Sequence, residues 1–184
     1  MDESIIKRWG MYKYPSESII RITKKLFNKK SKILDFGCGG GRHFLFLKDN
    51  FDAYACDKYQ ELVSYVKSKT NDTSKIFLYK NTLPFENNFL DGILVCGVFE
   101  YMDNNGIENF FYESKRCLKD NGYIIITLTN DSTKPSVTHE YQDFSIDKVN
   151  ELLSPYLKNI KIGYEDFEYN EFKLKRFILT GNIN

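Results

Sequence analysis

The segment Ile33–His43 reads ILDFGCGGGRH, with Gly37, Gly39 and Gly41 at alternating positions behind Asp35. Alternating glycines let the backbone turn tightly and leave its peptide groups uncovered by Cβ atoms, so a ligand can approach them directly. A second chemical position is Asp57, 20 residues beyond Gly37. Its two carboxylate oxygens can accept from two neighbouring hydroxyls, as a ribose diol would require. Either feature alone has a plain explanation: a tight strand–helix connection for the glycines, a helix N-cap for Asp57. Their joint spacing favours a ligand over both.

Groups that could move a proton are few, since the chain has two histidines. His139 falls in a polar stretch, Asn130–Phe144, and an imidazole with an ordinary pKa of about 6.5 suits proton transfer. The competing expectation is a solvated surface residue. His43 falls inside the helix that follows the glycines, where packing or capping is the expected role. Cys38, Cys56, Cys96 and Cys117 form no CxxC pair and sit mostly in apolar runs. They read as buried reduced thiols, with no metal site and no disulfide.

These residues gain meaning from the elements that hold them. Helical and strand patterns alternate from about residue 16 onwards. A helix is expected over Pro15–Phe27 with Ser16 as N-cap, then a strand over Lys32–Gly37 and a helix over Gly41–Asn50. A strand over Asp52–Asp57, a helix over Tyr59–Lys69 and a strand over Lys75–Asn81 follow. Next come a strand over Phe89–Gly97 and a helix over Gly106–Asp120. Asp120–Tyr123 carries an Asn-Gly turn signal ahead of a strand over Tyr123–Thr129. A helix over Ser145–Ser154 and two closing strands within Asn159–Asn182 complete the chain. The alternation implies an α/β fold with a mainly parallel sheet covered on both faces. The two last strands lack an intervening helix and should form an antiparallel pair at one edge.

Composition sets the outer limits. The chain has 184 residues, with 26 Lys and Arg against 25 Asp and Glu, for a formal charge of +1. That length suits a single domain, 1–184, with 1–30 as an N-terminal cap and 31–184 as the core. A hydrophobic share of 42% is enough to bury a core and excludes intrinsic disorder as the main state. Near-neutral charge argues against a partner held by phosphate neutralisation. No secretory signal and no apolar run long enough to span a bilayer is visible, so a cytoplasmic protein is expected.

With the glycine loop and Asp57 in place, the chain resembles the class I S-adenosylmethionine-dependent methyltransferases, in particular the small-molecule, type 11-like group. Asp35-Phe-Gly37-Cys38-Gly39-Gly-Gly41 is similar to the family's first motif, which surrounds the methionine portion of the cofactor. The resemblance implies a Rossmann-like three-layer sandwich around a seven-stranded sheet, and S-adenosyl-L-methionine as cofactor. It gives Asp57 the ribose diol and sets Lys58 and Tyr59 beside the adenine. Leu83–Met102 is similar to the family's run into and out of the fourth strand, although Leu90 here separates Phe89 from Asp91. After the third strand the family often carries Asp and a small residue near the adenine; Asn81 and Thr82 stand there instead. Gly97 would join the cofactor site, with Glu100 and Tyr101 near the methyl group as catalytic candidates beside His139. N-terminal segments of the family commonly fold over the site, which makes Trp9, Tyr12 and Tyr14 candidate lid rings, joined by Tyr141 and Phe144. No metal is implied.

A dinucleotide-binding dehydrogenase uses similar logic, but its Gly-x-Gly-x-x-Gly fingerprint would need glycine at Arg42 or Phe44. The function expected is methyl transfer to oxygen or nitrogen of a small molecule, since little chain remains to build a polymer site. The alternative is a module that binds the cofactor without turning it over.

Overall fold

The computed structural model describes residues 3–9, 14–130, 144–169 and 172–184. Among them, seven strands form one sheet: β1 (Lys32–Phe36), β2 (Asp52–Asp57), β3 (Ile76–Leu78), β4 (Leu90–Cys96), β5 (Leu118–Thr129), β6 (Leu157–Tyr169) and β7 (Phe172–Ile183). Their spatial order is β3-β2-β1-β4-β5-β7-β6. The first five pair in parallel, and β7 runs antiparallel between β5 and β6. The expected α/β sandwich with an antiparallel C-terminal edge pair is therefore the observed one.

Strands β1 and β4 are almost wholly buried because helices cover both faces of the sheet. On one face, α2 (Glu17–Leu26), α3 (Arg42–Lys48) and α4 (Gln60–Lys67) contribute Ile19, Phe44, Leu47, Val63 and Val66 to one apolar cluster. On the other, α5 (Asn104–Cys117) and α6 (Ile146–Leu153) contribute Ile107, Phe110, Phe111, Val149 and Leu153 to a second. Side chains start three of these helices: Ser16, the N-cap expected for α2, and Asp103 and Ser145, ahead of α5 and α6, each accept from a first-turn N–H.

Four local features depart from expectation. A short helix α1 (Glu3–Trp9) precedes the segment where alternation becomes legible, and it packs on α4. The Asn-Gly turn does not stand ahead of the strand but swells within it. Leu118 pairs with Leu90 and Tyr123 with Gly92, so five steps along β5 face two along β4. The excess residues Lys119, Asp120 and Asn121 are pushed out to solvent. Strand β3 stops at Leu78, and Asn81 beyond it takes a positive φ of 64°, which no strand continues. Phe144, expected beside a substrate, is a core ring at 1% exposure.

The strand order reverses between β1 and β4, whose neighbours β2 and β5 lie on opposite sides. In such sheets the crevice beyond the carboxyl ends at the reversal is where ligands bind. Among the described residues, no helix is long and apolar enough to cross a membrane.

Candidate active site

A cleft of about 500 Å³ opens at that reversal. Its floor is Phe36, Gly37 and Gly39, from the end of β1 and the loop after it. One side is Asp57, Lys58 and Tyr59 after β2, with Leu62 of α4. The other is Gly97, Val98, Tyr101 and Met102 after β4, and Tyr79 beyond β3 closes the group.

Asp57 is only 6% exposed yet reaches the cleft. Its Oδ2 accepts from the Gly39 backbone N–H at 2.9 Å and its Oδ1 from that of Tyr59 at 3.0 Å. Burial raises its pKa above the usual carboxylate value, and those two N–H groups pull in the opposite direction. Each carboxylate oxygen has a further lone pair. A pair of hydroxyls on the cleft side could donate to them without displacing the backbone donors.

Asp35 lies one layer deeper. At 2% exposure it accepts from the Phe44 backbone N–H at 2.9 Å, fixing the start of α3 below the loop. Its pKa is pushed up to about 7, chiefly by burial; the Phe44 N–H and the Arg42 charge lower it, and Asp57 nearby raises it. Asp35, Cys38 and Gly41 shape the glycine loop from beneath and do not line the cleft. His43, also buried, accepts from the Ser16 backbone N–H through Nε2 at 3.4 Å. Burial and the charges of Arg42 and Arg176 hold its pKa well below the normal value, so the ring is neutral.

Residues expected at one site therefore divide. Gly37, Gly39, Asp57, Lys58, Tyr59, Gly97 and Tyr101 meet in the cleft. Asn81 and Thr82 are exposed and outside it; the Asn81 carbonyl instead accepts from Asn109 of α5 at 2.7 Å. Glu100 is 3% exposed and accepts from the Thr129 backbone N–H and hydroxyl, away from the cleft wall. Tyr14 is 82% exposed and not part of the lining. Trp9 ends α1, while Tyr12, His139 and Tyr141 lie outside the described residues.

Five lining residues were not anticipated: Phe36, Leu62, Tyr79, Val98 and Met102. A rule was available for three of them. Phe36 ends β1, Tyr79 directly follows β3, and Val98 is the second residue after β4. Residues at strand carboxyl ends belong to the crevice whatever their polarity. Tyr79 is held there by Asn109, whose amide donates to its hydroxyl at 3.0 Å, and by edge-on contact with Phe36 at 4.9 Å between centroids.

The arrangement suits a flat, partly apolar ligand with a diol: rings and aliphatics on the walls, bare backbone on the floor, one buried carboxylate. Among the described residues no cluster of His, Cys, Asp or Glu is arranged to hold a metal.

Comparison with known proteins agrees with that chemistry. A family described as a methyltransferase domain matches residues 34–126, just over half of the chain. Among curated proteins, no sequence matches significantly. Among solved structures, a SAM-dependent methyltransferase from Archaeoglobus fulgidus aligns with a TM-score of 0.72 at 14% identity, over 90% of this chain and 91% of that one. A SAM-dependent methyltransferase from Aquifex aeolicus aligns with a TM-score of 0.66 at 21% identity, over 97% and 98%. TehB from Haemophilus influenzae aligns with a TM-score of 0.71 at 15% identity, over the whole of this chain and 67% of its own. At these identities the structural likeness is one of fold. The family match, spanning the glycine loop, Asp57 and β4, carries the assignment: the chain belongs to the methyltransferase-domain family and is a class I enzyme dependent on S-adenosyl-L-methionine.

Proposed function

We propose that the enzyme methylates an oxygen or nitrogen of a small acceptor, with its cofactor held in the cleft between the ends of β1, β2 and β4. The observation that carries this reading is the meeting, in about 500 Å³, of the Asp57 carboxylate, the bare backbone of Gly37, Gly39 and Gly97, and the rings of Tyr59 and Tyr79. Asp57 would accept from the ribose hydroxyls, Tyr59 and Leu62 would face the adenine, and the glycine backbone would lie along the methionine portion. When bound, the cofactor supplies a methyl group on a sulfonium, already activated for displacement. The chain's own task is then to align the acceptor and to exclude water.

A small acceptor is supported by the character of the cleft. Among its described lining residues Lys58 is the one cation, whereas a polyanion would require several. Tyr101 offers a phenol on the wall and is the described lining group best suited to orient an acceptor hydroxyl or amine.

The test has two arms. Calorimetric titration with S-adenosylhomocysteine should show at least about tenfold weaker binding to Asp57→Ala, since hydrogen bonds to a charged acceptor are lost. Wild-type affinity in that variant would remove the ribose assignment. Incubation with labelled cofactor and a panel of small alcohols, phenols and amines should yield a methylated product. Transfer confined to nucleic acid or protein would overturn the small-acceptor reading.

A further inference from the structure

Between β4 and α5 the chain runs Gly97-Val98-Phe99-Glu100-Tyr101-Met102, and Gly97, Val98, Tyr101 and Met102 line the cleft. The remaining two are buried anchors. Phe99 packs edge-on against Phe110 and Phe111 of α5, at 5.2 and 5.7 Å between centroids. Glu100 reaches towards the sheet, where its Oε1 accepts from the Thr129 backbone N–H at 2.9 Å and from the Thr129 hydroxyl at 3.0 Å. Thr129 is the last residue of β5.

The same turn is braced from the glycine loop. A Cβ built on Gly37 would stand 2.5 and 3.0 Å from the two methyl carbons of Val98, so Val98 rests directly on the Gly37 backbone. The turn is thus held between two supports, the floor of the cleft on one side and the end of β5 on the other. Both Thr129 donors meet the same oxygen, Oε1, so a single residue at the end of β5 fixes where the Glu100 carboxylate points.

We propose that Glu100 is a positioning residue. Its bond to Thr129 ties the β4–α5 turn to β5, pressing Val98 onto Gly37 and keeping Tyr101 and Met102 in the cleft wall. It thereby governs cofactor affinity without touching the cofactor. The role replaces the proton transfer that a carboxylate directly after β4 would suggest. This inference rests on the reading of the cleft as the cofactor site.

The experiment titrates S-adenosylhomocysteine calorimetrically into the full chain and into Glu100→Gln, Glu100→Ala, Thr129→Val and Asp57→Ala, with thermal unfolding of each. Glutamine keeps an acceptor oxygen for both Thr129 donors, so Glu100→Gln should bind within about twofold of wild type. Alanine leaves the part-buried Thr129 N–H without that acceptor and frees the turn, so Glu100→Ala should bind about tenfold more weakly. Thr129→Val removes one donor of two and should weaken binding by about threefold. Affinity in Glu100→Gln should follow pH as the wild type does.

Wild-type affinity in Glu100→Ala, alongside weakened Asp57→Ala, overturns the tie and leaves the cleft assignment standing. Wild-type affinity in both overturns the cleft assignment and the tie with it. A lowered melting temperature without any change in affinity reduces Glu100 to a stabilising residue and overturns the proposal. Glu100→Gln as weak as Glu100→Ala does the same, because charge rather than geometry would then be at work. If Glu100→Ala does not fold, Thr129→Val carries the test, and wild-type affinity there is the refuting result.

Discussion

Gly37 and Gly97 share a positive φ of 67° but differ in what an added methyl would meet, which makes alanine at each a paired experiment. In this backbone region an L-residue costs about 1–2 kcal/mol. At Gly97 that is nearly the whole cost to the fold, since no heavy atom lies within 4 Å of a new Cβ. At Gly37 the new Cβ would lie 2.5 Å from Val98 Cγ2, so Val98 must move, and forced overpacking adds about 1–3 kcal/mol. Gly37→Ala should therefore lose about 2–5 kcal/mol, and at 2–4 °C per kcal/mol for a chain of this size its melting point should fall by about 4–20 °C. Gly97→Ala should fall by about 2–8 °C on the same conversion. Because Gly97 lines the cleft, its methyl would instead occupy ligand space and weaken S-adenosylhomocysteine binding. The decisive assay is thermal unfolding of Gly37→Ala, Val98→Ala and the double variant. Removing the Val98 methyls should relieve the clash, giving a favourable coupling of about 1–3 kcal/mol. Additive losses, or equal melting points for Gly37→Ala and Gly97→Ala, would refute the contact between the two segments.

Other consequences follow from the buried charges. The Asp35 pKa is raised from 3.8 to about 7 in the folded chain, so the native state holds its proton more tightly than the unfolded state. Its contribution is fully present below pH 3.8 and is lost as pH rises through about 7. Denaturant titrations from pH 5 to 8 should show wild type losing stability relative to Asp35→Asn, whose amide oxygen can still accept from Phe44; parallel curves would contradict the burial argument. Arg116 donates to the carbonyls of Phe85 at 2.5 Å and Leu83 at 2.9 Å while paired with Glu113, and so pins the segment between β3 and β4 onto α5. Arg116→Ala should cost about 1–3 kcal/mol by chemical denaturation, and an unchanged midpoint would show that the segment holds itself.

How much of this was legible in the sequence depended on the reach of each interaction. Strands β1, β2 and β4 were placed within a residue or two, because continuous apolar runs bounded by glycine or acid leave little freedom. Helix α1 escaped notice because seven residues carry too few turns to show a period. The swelling in β5 reads in the sequence as a turn ahead of the strand. Asn-Gly does favour a bend, but only the pairing of Leu118 with Leu90 shows that the strand had already begun. For Glu100, proximity to the end of β4 was read correctly and direction could not be. A polar residue after a strand can face the cleft or the sheet, and the choice was made by Thr129, 29 residues away.

The glycine loop is the opposite case, and the reason is its self-sufficiency. Asp35 and Phe44 are nine residues apart, and Gly39 and Asp57 eighteen. Each acid is buried where a carboxylate is costly, and each is offset by a backbone N–H that the loop presents because its glycines turn it inward. Those N–H groups belong to a helix start and a tight turn, where ordinary backbone partners are missing. Acid and loop thus answer each other's unmet hydrogen bonds within about 25 residues, so their types and spacing are constrained together and can be read together. The opposite wall of the cleft, Gly97, Val98, Tyr101 and Met102, depends instead on longer-range contacts, as the bond from Thr129 to Glu100 across 29 residues illustrates. The glycine loop was legible for that reason and the far wall of the cleft was not: the first is written in one stretch of chain, the second in contacts that only the folded sheet creates.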